Sequence, residues 1–462
     1  MKHALMSGKV KTIYTCSACS AQHNRWQGQC HQCGQWNTLE LQTPHHVPVT
    51  DTRHLGLHQE QTQSALLGDV RAPILTRIPT FSPELDHTLG GGLIPGAVIL
   101  LGGQPGAGKS TLLLQMLCHL APQYKALYVT GEESAQQIAL RAKRLKLPAE
   151  QLYIFVHSQI DVIMHEIKRI KPDVIVIDSI QVMYHPQVHA SAGSVSQVKD
   201  CTTALTQLAK ARQCIMLLVG HVTKEGALAG PKVLEHIVDT SLLLETNTDQ
   251  RYRTLRAVKN RYGAVNELSV FAMSAQGMRA VHHPSAIFLS HDMQDVPGRA
   301  VTVLWEGTRP LLLEIQALVD QSHGSNPRRI TVGFDYNRLS MLLAILNRHG
   351  NLTLGNYDIF INLVGGIKIT ETGADLSLLL AIVSSYKDKV MHPDTIIFGE
   401  VGLSGEIRPI PYGQERLAEA RKHGFKQAII PSGNKPPTSG SGSLAGMHIS
   451  PVSKLHEAIN LL

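Results

Sequence analysis

The residues best equipped for chemistry lie in the run GGQPGAGKST, from Gly102 to Thr111. Gly103, Gln104, Pro105, Gly106, Ala107 and Gly108 lead into Lys109, Ser110 and Thr111, the spacing of a phosphate-binding loop. Glycines let successive backbone N–H groups wrap anionic oxygens at a helix N-terminus. Lys109 is expected to reach the β- and γ-phosphates of ATP, and Ser110 to hold Mg²⁺ through its hydroxyl. The apolar AVILL before the loop reads as a strand and LLLQMLCHL after it as a helix, the context such a loop needs.

A second set of chemical residues stands near the front. Cys16, Cys19, Cys30 and Cys33 form two CxxC pairs separated by ten residues. Each pair bends two thiolates toward one ion, and two pairs complete a tetrahedral Zn²⁺ site. His31 is a competing donor that four thiolates do not need. The segment is too small for a core of its own, so the metal is expected to supply its stability. Arg25 and Trp26 offer a cation and an aromatic ring that either meet nucleic acid or pack against the knuckles.

Stepping outward, the elements that must position these groups alternate as in an α/β sheet. KALYVTG, DVIVIDS and CIMLLVGH read as buried strands with helical stretches between them. Asp178 closes DVIVID, where a second Mg²⁺-holding acid belongs. Glu132 follows the strand KALYVT and is placed to orient or deprotonate an attacking water, with Glu133 as its rival.

With 462 residues the chain exceeds one compact core, and its 17% charged and 43% apolar residues suit globular domains. The net charge is +7, and before Glu40 the chain carries Lys2, Lys9, Lys11 and Arg25 and no acid. Such a basic end favours a polyanionic partner. The longest apolar runs fall far short of a membrane span, and MKHALMSGKVKT does not read as a signal peptide. The expected location is cytoplasmic, where the seven cysteines stay reduced and paired ones point to metal.

FSPELDHTLGGGLIPGAVILLGGQPGAGKST, YVTGEES, VIVIDSIQ, GHVTKEGALAGPKVLEH and KNRYG occur in this order behind the cysteine pairs. Together they resemble the bacterial RadA (Sms) family across essentially the whole chain. That family usually has phenylalanine where Tyr262 stands and proline where His31 stands. The resemblance implies an α/β fold with a RecA-like P-loop ATPase core, a small Cys₄ zinc module in front and a Lon-protease-like α+β domain behind. The expected limits are 10–36 for the zinc module, 37–60 for a linker, 61–284 for the ATPase and 285–462 for the Lon-like domain.

The resemblance also implies DNA repair by homologous recombination. The expected activity is an ATP-dependent motor that forms homohexameric rings on single-stranded and branched DNA and drives branch migration. The RecA recombinase is a candidate partner. By motif position Glu132 matches the catalytic glutamate and His221 a γ-phosphate sensor. Lys224 and Lys232, in the loop TKEGALAGPK, suit a DNA backbone. A regulatory ATPase switch of the KaiC type, with protein partners and no DNA translocation, is the alternative from another class.

The end of the chain resembles the proteolytic domain of Lon, which uses a serine activated by a lysine. Aligned by motif, Gly373 occupies the serine position and Gln414 the lysine position, with Ser377 on the wrong helical face. A scaffold without peptidase activity is expected, with Lys368, Arg408, Arg416, Arg421 and Lys422 giving it basic faces.

One short stretch remains, VKNRYG. Lys259 and Arg261 alternate along an extended chain and therefore share a side, and Gly263 permits a turn. In RecA-like rings each ATP lies at a subunit boundary, so these cations are expected to act as a finger in trans on the neighbour's phosphates.

Overall fold

The structure is a computed structural model. It describes residues 13–19, 21–23, 25–42, 66, 76–221, 232–246, 251–281, 285, 287–289, 296–324, 326–366, 368–436 and 446–462. The linker expected at 37–60 therefore lies largely outside the described residues, as does Lys224. The chain divides into two compact units, 1–64 and 65–462.

In the first unit, β1 (Ile13–Cys16) lies between β2 (Gln22–His23) and β3 (Leu39–Gln42), antiparallel to both. Among the described residues its buried apolar cluster is Cys16, Cys30 and Leu39, with Ala21 against it. So small a cluster cannot offset the chain entropy of ordering the segment, and metal must contribute.

The second unit opens with α1 (Pro83–Leu89), which starts on a proline and ends at Gly90 in the left-handed region. The strands and helices then alternate: β4 (Val98–Gly103), α2 (Lys109–Leu120), β5 (Ala126–Thr130), α3 (Ala135–Arg144), β6 (Tyr153–Val156) and α4 (Ile160–Ile170). They continue with β7 (Val174–Asp178), α5 (Val195–Arg212), β8 (Ile215–His221), α6 (Lys232–Ile237) and β9 (Thr240–Thr246). An antiparallel extension follows: β10 (Tyr252–Asn260), β11 (Leu268–Ser274) and β12 (Gly277–Ala280).

Among the described residues these make one sheet, in the order β12-β11-β10-β9-β4-β8-β7-β5-β6. Strands β9, β4, β8, β7, β5 and β6 are mutually parallel. A central parallel strand is covered on both faces, which is why β4 reads as an unbroken apolar run and is buried throughout. One face packs on α1, α2 and α3, the other on α4 and α5.

The remaining elements are β13 (Arg299–Glu306), β14 (Arg309–Gln321), β15 (Arg329–Val332), α7 (Tyr336–Gly350), β16 (Tyr357–Leu363) and α8 (Asp375–Lys387). They end with β17 (Thr395–Ile397), β18 (Glu400–Val401), β19 (Ile407–Arg408), α9 (Gly413–Lys422), β20 (Gln427–Pro431), β21 (His448–Val452) and α10 (Leu455–Ile459). The second sheet runs β15-β16-β14-β13-β17-β20-β21. Helix α8 is buried from Asp375 through Ser384, as its apolar sequence requires. The two sheets are not independent. Leu268 and Val270 share a core with the second sheet, and Arg309 bonds Glu84 of α1 through both carboxylate oxygens at 3.1 Å.

One expected basic face is corrected. Arg416 is 1% exposed, because its guanidinium bonds the Val303 carbonyl and grips Glu371 at 2.8 and 2.7 Å. It is an internal clamp. Arg408 and Lys422 remain outside, more than half exposed. Arg416→Ala is expected to destabilise the chain by about 3–5 kcal/mol by stranding Glu371, and Lys422→Ala by less than about 0.5 kcal/mol. Urea unfolding of both variants measures the contrast.

Candidate ATPase and metal sites

The ends of four parallel strands meet at one edge of the first sheet. Gly103 of β4 lies opposite His221 of β8, and Thr130 of β5 opposite Asp178 of β7. The phosphate loop, Asp178, Glu132 and His221 therefore emerge together, where parallel sheets place their ligands. Glycine is required at the loop's start: a Cβ on Gly103 would stand 2.5 Å from the Leu244 carbonyl oxygen. Gly106 and Gly108 hold positive φ values of 78° and 103°.

Lys109 opens α2 and is 4% exposed. Its ammonium donates to the carbonyls of Gly103 at 2.7 Å and Gln104 at 2.9 Å, and lies 3.3 Å from His221 Nδ1. Burial lowers its pKa, while Asp178 and Glu132 pull it back up. His221 is pushed toward its neutral form by burial and then by Lys109. Its Nε2 lies 3.9 Å from Glu132 Oε1. A neutral imidazole can bridge a cation and a carboxylate without adding charge.

The two neighbouring glutamates differ. Ser179 Oγ donates to Glu132 at 2.5 Å, and Glu132 stays 45% exposed at the mouth of the site. Glu133 is tied to Arg141 at 2.5 Å, so its carboxylate is already engaged. Thr130 Oγ1 accepts from the backbone N–H of both, fixing the turn that presents them.

The hydroxyl of Ser110 and the carboxylate of Asp178 are hard oxygen donors of the kind Mg²⁺ selects. They flank a loop whose backbone bends through glycines, so the donor set fits a Mg–nucleotide.

Several partners went unnoticed in the sequence. Tyr128, wholly buried, donates its O–H to Asp178. Arg253 of β10 donates from Nε to the Ala107 carbonyl at 3.0 Å, bracing the phosphate loop from a distant strand. Neither is legible in the sequence: Tyr128 shares a sheet face with Asp178 only because β5 pairs with β7 in this register.

In the first unit the four cysteine sulfurs lie within 4.8 Å of one another. Cys16 and Cys33 approach to 3.7 Å, as do Cys19 and Cys30. Four thiolates at 2.3 Å from one zinc would be about 3.8 Å apart, so the cluster fits that ion. His31 is exposed, whereas His23 Nε2 lies 3.5 Å from Cys30 Sγ and acts as an outer partner. Arg25 and Trp26 are exposed, Trp26 by 58%, so its ring is not packed on the knuckles.

The VKNRYG cations sit elsewhere. Lys259 donates to the carbonyls of Glu235 and, at 2.8 Å, Val238, at the end of α6. Arg261 meets the buried Asp239 at 3.2 Å, and Lys210 meets the same carboxylate at 2.5 Å. Lys210 donates to the Tyr262 hydroxyl oxygen at 3.4 Å, a bond phenylalanine would not make. Lys232 belongs to α6.

Comparison with known proteins agrees with this layout. Family models match a rubredoxin metal binding domain over residues 14–40, an AAA domain over 73–227, and the subunit ChlI of Mg-chelatase over 339–434. The DNA repair protein RadA of Haemophilus influenzae is 52% identical over 459 residues, covering 99% of each chain. RadA of Escherichia coli is 51% identical over 460 residues, again covering 99% of both. The chain belongs to the RadA family. RadA of Aquifex aeolicus is 42% identical, covering 98% of this chain and all of its own. A solved KaiC-like protein from Pyrococcus horikoshii is a weaker likeness, 18% identical over 45% of this chain at a TM-score of 0.39. The chain is thus an ATPase with ATP, Mg²⁺ and Zn²⁺ as cofactors. No helix of the described residues is long and apolar enough to cross a membrane.

One zinc per chain is expected, lost in the Cys30→Ser/Cys33→Ser double variant. Elemental analysis of both proteins checks it, and equal metal content would contradict the ligand set.

Proposed function

We propose that this protein is a DNA-repair ATPase whose ring moves single-stranded and branched DNA during homologous recombination, promoting branch migration. The observation that carries this reading is where VKNRYG lies relative to the phosphate loop. Strand β10 runs antiparallel to β9, so Asn260 pairs with Thr240, which in turn pairs with Ile99 near the start of β4. The phosphate loop follows Gly103, at the far end of β4. From Ile99 to Gly103 the strand rises about 13 Å. Lys259 and Arg261 therefore leave the sheet at the edge opposite their own nucleotide, which supports a role on a neighbour's ATP in a homohexameric ring.

In hydrolysis Lys109 would turn from its carbonyls to the β- and γ-phosphates, and Ser110 and Asp178 would hold Mg²⁺. Bound there, Mg²⁺ neutralises charge on the phosphate oxygens. Glu132, positioned by Ser179, orients and deprotonates the attacking water, and His221 registers the γ-phosphate through its contacts with both Lys109 and Glu132. Arg261 and Lys259 would exchange Asp239 and the α6 carbonyls for the neighbour's phosphoryl group. The exposed Arg25, together with Lys224 and Lys232, would contact the DNA backbone, and the RecA recombinase is a candidate partner. A cytoplasmic location follows from this role.

The Lon-like domain acts as a scaffold in this reading. Gly373 offers no nucleophile, and the Ser377 hydroxyl is buried and donates to the Ala374 carbonyl at 2.9 Å. Gln414, at the lysine position, donates to the Asn434 carbonyl at 3.3 Å.

Turnover should be stimulated by single-stranded DNA, with affinity falling steeply with salt. Lys109→Ala should lose ATP binding, Glu132→Gln should bind without turnover, and Lys259→Ala should bind but lose DNA stimulation. Co-assembled Glu132→Gln and Lys259→Ala subunits should regain some hydrolysis, since one interface in each mixed ring carries both intact groups. Absence of any recovery in proven mixed rings would favour a contact with DNA alone. Separately, no cleavage of unfolded protein is expected with or without ATP; proteolysis abolished by Ser377→Ala would overturn the scaffold reading.

A further inference from the structure

Strands β5 and β7 exchange more than backbone hydrogen bonds. Tyr128 is in register with Val176, and Thr130 with Asp178. Side chains two apart on a strand share a face, so Tyr128 and Asp178 are diagonal neighbours on the α2 side of the sheet. A strand spacing of about 4.8 Å and a two-residue rise of about 6.6 Å set these positions about 8 Å apart, a gap an aromatic side chain can span. The phenol does so, and its O–H donates to Asp178 Oδ2.

The ring is fully buried in the cluster that contains Ile138, Ala142, Val174 and Val176. It has no freedom to swing away. The next residue of β7's exit works in the opposite direction: Ser179 donates to Glu132, which follows β5. Each strand thus pins the acid of the other.

We infer that Tyr128 is a positioning residue for Mg²⁺: by holding Oδ2 of Asp178 it fixes the orientation of the carboxylate that would hold the metal. This rests on the reading that Asp178 holds Mg²⁺. Outer partners that orient a metal-bound carboxylate commonly account for 10- to 100-fold of metal affinity. A ring that only filled the core would have no such effect, because Phe would fill it equally well.

The test measures binding of a fluorescent, non-hydrolysable ATP analogue to the full chain, with Mg²⁺ and with EDTA. The ratio of the two affinities is the gain due to Mg²⁺. Asp178→Asn should abolish most of that gain, and Tyr128→Phe should reduce it about tenfold while leaving affinity in EDTA unchanged. Adding Tyr128→Phe to Asp178→Asn should cause no further loss. Ser179→Ala should keep the full gain while slowing turnover, since its partner is Glu132. Tyr128→Met, flexible enough to fill the same space, is a second hydroxyl-free variant expected to behave like Tyr128→Phe should the latter fold poorly. If Asp178→Asn keeps the gain, the metal role of Asp178 fails. If Asp178→Asn loses it while Tyr128→Phe retains it, or if Tyr128→Phe weakens binding equally with and without Mg²⁺, the positioning role is overturned.

Discussion

An ammonium group held almost out of water organises the ATPase core. Lys109 is 4% exposed, and an unpaired buried charge would be strongly destabilising. Here the charge is met by the carbonyls of Gly103 and Gln104, so the loop must curl back over the start of its own helix. That curl demands glycines at 106 and 108, and it requires β4 to end level with β8 and β9. The close pass of Gly103 over the Leu244 carbonyl sets how tightly β9 can pack.

Polar pairs carry this organisation outward. Asp239, 2% exposed, accepts from the Val98 N–H at 3.0 Å, from Lys210 and from Arg261. It thereby ties the first residue of β4 to the turn after β10. At the other edge, Arg253 braces the phosphate loop from the same strand β10. One strand therefore touches the phosphate loop near its beginning, carries Lys259 at its end and leads directly into Arg261. The antiparallel extension is not decoration on a parallel sheet but the member that spans it.

The second sheet is joined to the first through ion pairs whose acids are buried. Arg309 with Glu84, and Arg256 with Glu306 at 2.6 Å, cross between the ATPase elements and the β13–β14 pair. Burial pushes Glu306 toward its neutral form, and Arg256 opposes this. Such pairs favour one docking geometry over others, because a slip would leave the buried Glu84 and Glu306 unpaired. The shared core around Leu268 and Val270 supplies the apolar part of the same joint.

The sequence by itself determined the parts whose chemistry is local. A glycine-rich loop between an apolar strand and helix, and two CxxC pairs, need only short-range geometry, so Lys109, Ser110 and the four cysteines were legible at once. The strands were legible too, because two-sided burial writes continuous apolar runs. Tertiary structure decided what depends on register and on distant partners. It separated Glu132 from Glu133 by giving one Ser179 and the other Arg141. It turned Arg416 from an exposed cation into a buried clamp, since helical position alone does not say what lies across from it. It also set the VKNRYG cations at the edge of the sheet away from their own nucleotide, because strand direction comes from pairing and not from spacing along the chain.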